Sequence, residues 1–81
     1  MIEVTMREWV MLTFIRHYIK RYGRSPTHAE ISKGCGWNHR DSPSIYLLRL
    51  AGKGVVTLKH KESRGIVLRN VTVGVDVKVK A

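Results

Sequence analysis

Cysteine and long apolar runs are both nearly absent from this sequence of 81 residues. The single cysteine, Cys35, excludes an intrachain disulfide and is typical of a protein from a reducing compartment. No apolar run approaches the roughly 18 residues that cross a bilayer. The N-terminus also lacks the ordered regions of a signal peptide. We therefore expect neither a membrane span nor secretion.

Acidic residues are scarce as well, with six Asp and Glu against 15 Lys and Arg and a net charge of +9. A domain this basic suits a polyanionic partner, and nucleic acid is the first candidate. Charge alone leaves three alternatives open, which are an effect on solubility only, contact with a ribosome, and contact with a membrane surface.

Residue sets typical of catalysis are missing too. The sequence has no glycine-rich phosphate loop, no paired carboxylates and no nucleophile spaced with a base. Cys35 and His39 have C-x3-H spacing, with His28 nearby, but zinc sites of this kind need a second cysteine or a paired motif. We predict no enzyme activity, no cofactor, no metal site and no small-molecule ligand, with Cys35 in the core.

Two segments carry the signature of a helix start. Thr5–Glu8 and Thr27–Glu30 both fit a capping box, in which the threonine hydroxyl and the glutamate carboxylate each accept from the other residue's amide. After the first box, apolar residues recur at steps of three and four and predict an amphipathic helix that ends at Gly23. The second helix is predicted to last about two turns and to end at Gly34 and Gly36.

A third helix is predicted to begin at an Asp41 or Ser42 cap. Pro43 then occupies the first turn, where its missing amide would have had no partner. Helical geometry points Leu47 and Leu50 inward, together with Ala51, and two glycines at 52 and 54 end the helix.

Beyond this helix the apolar period changes to two. Residues 55–58 and 65–68 predict a hairpin with a basic tip, and valines alternate with polar or small residues at 71, 73, 75, 77 and 79. The predicted fold class is α+β, a winged helix-turn-helix of three helices, a β-hairpin wing and an extra C-terminal strand. We divide the chain into a winged helix-turn-helix domain at 1–69 and a strand extension at 70–81.

The segments "RSPTHAEISKGCG", "LLRLAGKGVV" and "SRGIVL" carry a family resemblance. Together they resemble the N-terminal DNA-binding domain of LexA-type repressors, without gaps from about residue 4 to 68. The resemblance implies a third helix in the major groove and palindromic operators bound by a dimer. Family members continue into a self-cleaving serine peptidase domain with a Ser–Lys dyad. Since the sequence stops at Ala81, we expect no self-cleavage and a dimer contact from elsewhere.

Base recognition is predicted for the start and outward side of the third helix. Here the chain departs from the Ser-Pro-Asn-Ala type of sequence usual in the family, so the bases recognised should differ. Asp41 or Ser42 could instead serve only as a cap, and Ile45 could be core if the helix were rotated. The predicted base-reading residues are His39, Arg40, Asp41, Ser42, Ser44, Ile45 and Arg49.

Backbone contacts are predicted for the start of the second helix and for the hairpin. A helix N-terminus attracts phosphate, and a basic wing commonly reaches the minor groove or its flanking phosphates. Singly, each side chain is more simply explained as a solvated charge, and the case rests on their clustering. The predicted set is Arg24, Thr27, His28, Lys53, Lys59, His60, Lys61, Ser63 and Arg64.

The C-terminal strand needs a partner, because a strand with a valine face does not remain free in water without aggregating. It could join the wing sheet as a third strand, cover the core, or pair with a second copy of the chain. The last arrangement would give a homodimer through Val71 to Val79.

The predicted function is that of a sequence-specific, repressor-like transcriptional regulator in the cytoplasm of a prokaryotic cell or a phage-infected host. Its partner would be double-stranded DNA, with no membrane partner. Two alternatives stay open, which are a winged-helix module that binds another regulator and non-specific binding of nucleic acid through charge.

Overall fold

The computed structural model describes residues 2–37, 42–59, 64–69 and 76–80. Within these ranges the chain forms three helices and four short strands, and this confirms the predicted α+β winged helix-turn-helix. In chain order the elements are β1 (Ile2–Val4), α1 (Met6–Tyr22), α2 (His28–Cys35), α3 (Pro43–Gly52), β2 (Val56–Leu58), β3 (Ile66–Leu68) and β4 (Val77–Val79).

Both predicted capping boxes are present. The Thr5 hydroxyl accepts from the Glu8 amide at 3.1 Å, and the Glu8 carboxylate accepts from the Thr5 amide at 2.8 Å. The corresponding distances between Thr27 and Glu30 are 3.2 and 2.8 Å. As predicted, α1 ends at Gly23, whose φ of 71° is the left-handed conformation that glycine adopts without a steric cost.

One predicted helix end is wrong. Gly34 lies inside α2, which continues to Cys35 and is capped by Gly36 with a φ of 69°. A Cβ atom at Gly34 would overlap the ring of Phe14. The glycine therefore permits close packing of α2 on α1 and does not terminate the helix.

The core lies between the three helices and the strands, which contribute the last residue of β1 and the first residues of β2, β3 and β4. Val55 and Val56 enter it directly after α3, and β2 pairs with β3 in an antiparallel hairpin in which Val56 faces Leu68 and Leu58 faces Ile66. This hairpin is the predicted wing. The buried apolar residues are Val4, Met11, Leu12, Ile15, Ile31, Leu47, Leu50, Val55, Val56, Ile66 and Val77.

Among the described residues, the C-terminal strand is not part of the wing sheet. β4 pairs in parallel with β1, with Ile2 opposite Val77 and Val4 opposite Val79. Val77 is fully buried, so the strand covers the core, which is one of the three predicted arrangements. Strand β1 has no sequence signal, because three residues are too few to show a period. The rest of the predicted valine strand, at 70–75, lies outside the described residues.

Candidate nucleic-acid interface

Helix α3 has one face anchored in the core and the opposite face in solvent. Leu47 and Leu50 have no exposed surface, as predicted, whereas Ile45 is 51% exposed and Leu48 is 65% exposed. The alternative placement of Ile45 in the core is therefore wrong. We call Ser44, Ile45, Leu48 and Arg49 the outer face of α3. Leu48 was not among the predicted site residues, although helical spacing puts it beside Ile45.

Ser42 occupies the N-cap position of α3, but its side chain makes no capping hydrogen bond. Its hydroxyl is instead paired with the hydroxyl of Ser44 at 2.8 Å. Pro43 occupies the first turn, as predicted, and is buried. His39, Arg40 and Asp41 lie outside the described residues, so their roles stay predictions. The two paired serines mark the start of the outer face.

An arginine and aromatic cluster supports α3 from the side. The Tyr46 ring lies 5.3 Å from the Trp37 ring, and the guanidinium of Arg7 lies 5.5 Å from Trp37 and 6.0 Å from Tyr46. The guanidinium of Arg49 lies 5.6 Å from the centre of the Tyr46 ring. Cations at such distances from aromatic rings are attracted to the π-system. The contact with Tyr46 restrains the side chain of Arg49. No sequence pattern predicts that Arg7 lies beside α3.

Arg64 ties the wing to the start of α2. Its guanidinium donates to both Glu30 carboxylate oxygens, at 2.8 and 3.3 Å, and to the backbone carbonyl of Ser25 at 2.9 Å. The Arg64 hydrogen bond, followed by the Thr27 amide and the Tyr18 hydroxyl, lowers the pKa of Glu30 to about 2. Sequence reasoning predicted a DNA contact for Arg64, which stays a prediction, and it missed this internal role.

Lys53 links the end of α3 to the start of α1 through a second ion pair. Its ammonium lies 2.8 and 3.3 Å from the two carboxylate oxygens of Glu8, a side chain with no exposed surface. Burial raises the pKa of Glu8, but hydrogen bonds from Lys53 and from the Thr5 amide outweigh it, and the net effect is a lowered pKa. Lys53 keeps 34% of its side chain exposed. The DNA contact predicted for it stays a prediction.

The other predicted backbone contacts fall into three groups. Arg24, His28 and Lys59 are exposed, whereas the hydroxyl of Thr27 is engaged in its capping box. His60, Lys61 and Ser63, at the tip of the wing, lie outside the described residues. The structure therefore presents basic side chains beside the start of α2 and at the base of the wing.

Other chemistry is sparse in the described ranges. Cys35 is half-buried, and burial raises the pKa of its thiol. The described residues contain no group of three His, Cys, Asp or Glu side chains placed to hold a metal ion. The helices of the same ranges are also too short or too polar to cross a membrane.

Comparison with known families bears on this arrangement directly. A family model for the LexA DNA binding domain matches residues 1–65. The chain belongs to the LexA DNA-binding domain family. In a LexA-type helix-turn-helix, α3 is the second helix of the motif, and this is the helix that such motifs place in the major groove. The matched domain is a DNA-binding one.

Curated relatives agree with this family. The chain is 38% identical over 63 residues to the LexA repressor of Aromatoleum aromaticum, covering 78% of the chain and 31% of that protein. It is 40% identical over 63 residues to the LexA repressor of Mannheimia succiniciproducens, covering 78% and 30%. For that of Delftia acidovorans, identity is 39% over 71 residues, covering 88% and 32%. The chain thus spans about a third of the length of these LexA relatives.

Proposed function

We propose that this protein is a transcriptional repressor that binds a specific duplex DNA sequence. Helix α3 lies in the major groove, and the wing lies on the adjacent backbone or minor groove. The observation that carries the proposal is the orientation of α3, whose inner face is locked in the core while its outer face is open to solvent. The family match and the LexA repressors among its relatives support it.

Base contacts come from the outer face of α3 and from the residues just before it. Arg49 is exposed, and the contact of its guanidinium with the Tyr46 ring restrains the direction of the side chain. An arginine so placed can donate two hydrogen bonds to a guanine edge. Ser44 can serve several bases, and the predicted contacts of His39, Arg40, Asp41 and Ser42 complete the proposed site.

Backbone contacts come from Arg24 and His28 near the start of α2 and from Lys59 on the wing, all of them exposed. Lys53 and Arg64 already bond to Glu8 and Glu30. We assign these two basic residues mainly to the positioning of α3 and the wing. Phosphate contacts of this kind set the register on the duplex without reading its sequence.

Selection of bound duplexes from a random library tests the proposal. We expect an enriched motif whose complex survives an excess of random DNA. The Arg49→Ala variant should weaken binding to that motif by about 1–3 kcal/mol and relax the preference at one position. Arg21→Ala, which removes an exposed arginine from α1, is the matched control and should bind like the parent protein.

The alternatives give different results in the same assay. Binding through charge alone would be competed away by random DNA and would fall steeply with salt, without an enriched motif. A module that binds only another protein would bind neither duplex. Either result would contradict the proposed operator binding.

The predicted homodimer through Val71 to Val79 is a second part of the proposal. The Asp76 carbonyl accepts from the Ile2 amide, and the Lys80 amide donates to the Val4 carbonyl, each at 2.7 Å. Because alternate residues of a strand point their backbone groups to opposite edges, Val77 and Val79 point theirs to the edge of β4 that faces away from β1. Among the described residues β4 pairs only with β1, and that other edge is where we place the second copy. Sedimentation equilibrium of the free chain and of the operator complex tests this, and one chain per operator would contradict it.

A further inference from the structure

The outer face of α3 is unusually apolar for a surface opposed to DNA. Leu48 and Ile45 are 65% and 51% exposed, and their neighbours Leu47 and Leu50 already supply the contacts of α3 with the core. Helix α3, from Pro43 to Gly52, contains no Asp or Glu. It therefore offers no carboxylate that could accept a hydrogen bond from a cytosine amino group.

The position of the two side chains on the helix suits a groove contact. Residues three apart on a helix have Cβ atoms about 5–6 Å apart, whereas successive bases on one strand are spaced by about 3.4 Å. Ile45 and Leu48 can therefore reach bases one or two steps apart. The only apolar group that a base pair presents in the major groove is the C5 methyl of thymine.

The polar neighbours of the pair are restrained at its sides. Arg49 lies 5.6 Å from the Tyr46 ring centre, and the Ser44 hydroxyl pairs with that of Ser42. The centre of the face is left to Ile45 and Leu48. A net charge of +9 favours a polyanion over an apolar protein surface as the occupant.

We propose that Ile45 and Leu48 form a specificity-determining pair that recognises the C5 methyl groups of two thymines one or two base pairs apart. The proposal rests on the proposed function, since it requires α3 to lie in the major groove. It adds a residue, Leu48, and a base class to that function. Apolar contact should make the operator preference at these positions one for thymine over cytosine.

Replacement of thymine by uracil tests the pair, because it removes only the methyl group and keeps every hydrogen-bonding group of the base. The operator obtained by selection is remade with uracil at each thymine in turn, and affinities are measured for the parent protein and for Leu48→Ala, Ile45→Ala and Val10→Ala. Val10 is a matched control because it is also apolar and exposed, at 42%, but lies on α1.

We expect uracil to weaken binding roughly fourfold at each of two positions of a half-site and roughly tenfold or more at both. In Leu48→Ala one of these uracil effects should disappear, in Ile45→Ala the other, and in Val10→Ala neither. Because the two side chains are exposed, the variants should unfold at the same urea concentration as the parent protein. Equal uracil effects in parent and variants would overturn the proposal, as would a selected operator without thymine at its contacted positions.

The two proposals fail in different ways. If no motif is enriched, the proposed operator binding fails and the thymine contact fails with it. If a motif is enriched but its affinity does not depend on the methyl groups, only the thymine contact fails. Loss of binding to a protein partner in Leu48→Ala, without any change in DNA affinity, would also overturn the thymine contact and make this face a protein-docking surface.

Discussion

The two capping boxes of this protein have the same local geometry and different surroundings. In each, a threonine and a glutamate bond to each other's amide within 3.2 Å, and a basic residue from a distant part of the chain binds the glutamate. Glu8 is completely buried against Lys53, whereas Glu30 keeps 33% of its side chain exposed against Arg64. A four-residue signature thus sets the cap, and the tertiary fold sets the environment of its carboxylate.

The difference in environment gives the boxes different roles. At Glu8, burial opposes the charged form, and the ion pair offsets this penalty while linking α1 to the end of α3. At Glu30 the hydrogen bond from Arg64 is the largest effect on the pKa, and the pair links α2 to the wing. We therefore expect the first box to matter mainly for stability and the second for the placement of the wing.

The largest expected effect is that of removing the buried carboxylate. Glu8→Ala should lower the free energy of unfolding by about 3 kcal/mol, near the lower end for a broken buried pair because Lys53 is partly in solvent. Urea denaturation measures it. Glu3→Ala, an exposed acid on β1, is the control and should change the value by no more than about 0.5 kcal/mol. Equal losses in the two variants would show that burial does not distinguish Glu8.

Glu30→Gln and Arg64→Gln should lower the free energy of unfolding less than Glu8→Ala does, and they should also weaken DNA binding. If Arg64 acts by positioning the wing through Glu30, both variants should weaken operator binding by similar factors, and the double variant should be no weaker than either one. The salt dependence of binding should then stay unchanged.

A direct phosphate contact by Arg64 would give a different pattern. Arg64→Gln would weaken binding more than Glu30→Gln, and the slope of log affinity against log salt would become shallower by about 1. That result would restore the contact predicted from sequence and would contradict a purely positioning role. Affinity titrations at several salt concentrations measure both quantities.

The smallest expected effect is on the pH dependence of stability. The pKa of Glu30 is about 2 in the folded chain, below its ordinary value of 4.5, so folding favours the charged carboxylate. Its contribution is complete above about pH 4.5 and is lost as the pH falls through about 2. Between these values Glu30→Gln should lose less stability on acidification than the parent protein. Parallel curves of unfolding free energy against pH for Glu30→Gln and the parent protein would mean that Arg64 does not hold this carboxylate in its charged form. Glu3→Gln serves as the control.

Much of the fold followed from sequence because its signals are local. The capping boxes at Thr5 and Thr27, the left-handed glycine at Gly23 and the proline in the first turn of α3 each involve a few consecutive residues. The hairpin followed from the change of apolar period after Gly54. The burial of Leu47 and Leu50 followed from helical geometry, and so did the exposure of Ile45.

The features that sequence reasoning missed depend on residues far apart in the chain. β1 exists because three N-terminal residues meet β4, more than 70 positions later. The local sequence predicts a helix end at Gly34, because the close approach of Phe14 leaves no trace in it. The ion pairs of Lys53 with Glu8 and of Arg64 with Glu30 were missed because a basic side chain looks the same in sequence whether or not a distant carboxylate binds it. The DNA contacts predicted for these two basic residues stay predictions.

The sequence by itself determined where α1 and α2 begin, where α1 ends, the basic character of the protein and the membership of a DNA-binding family. These depend on composition, on short hydrogen-bonded motifs and on periodicity. Only the tertiary structure decided which carboxylate is buried, which cations are held by it, and where the C-terminal strand pairs. The physical reason is that burial and ion pairing depend on long-range contacts, which packing of the whole chain creates.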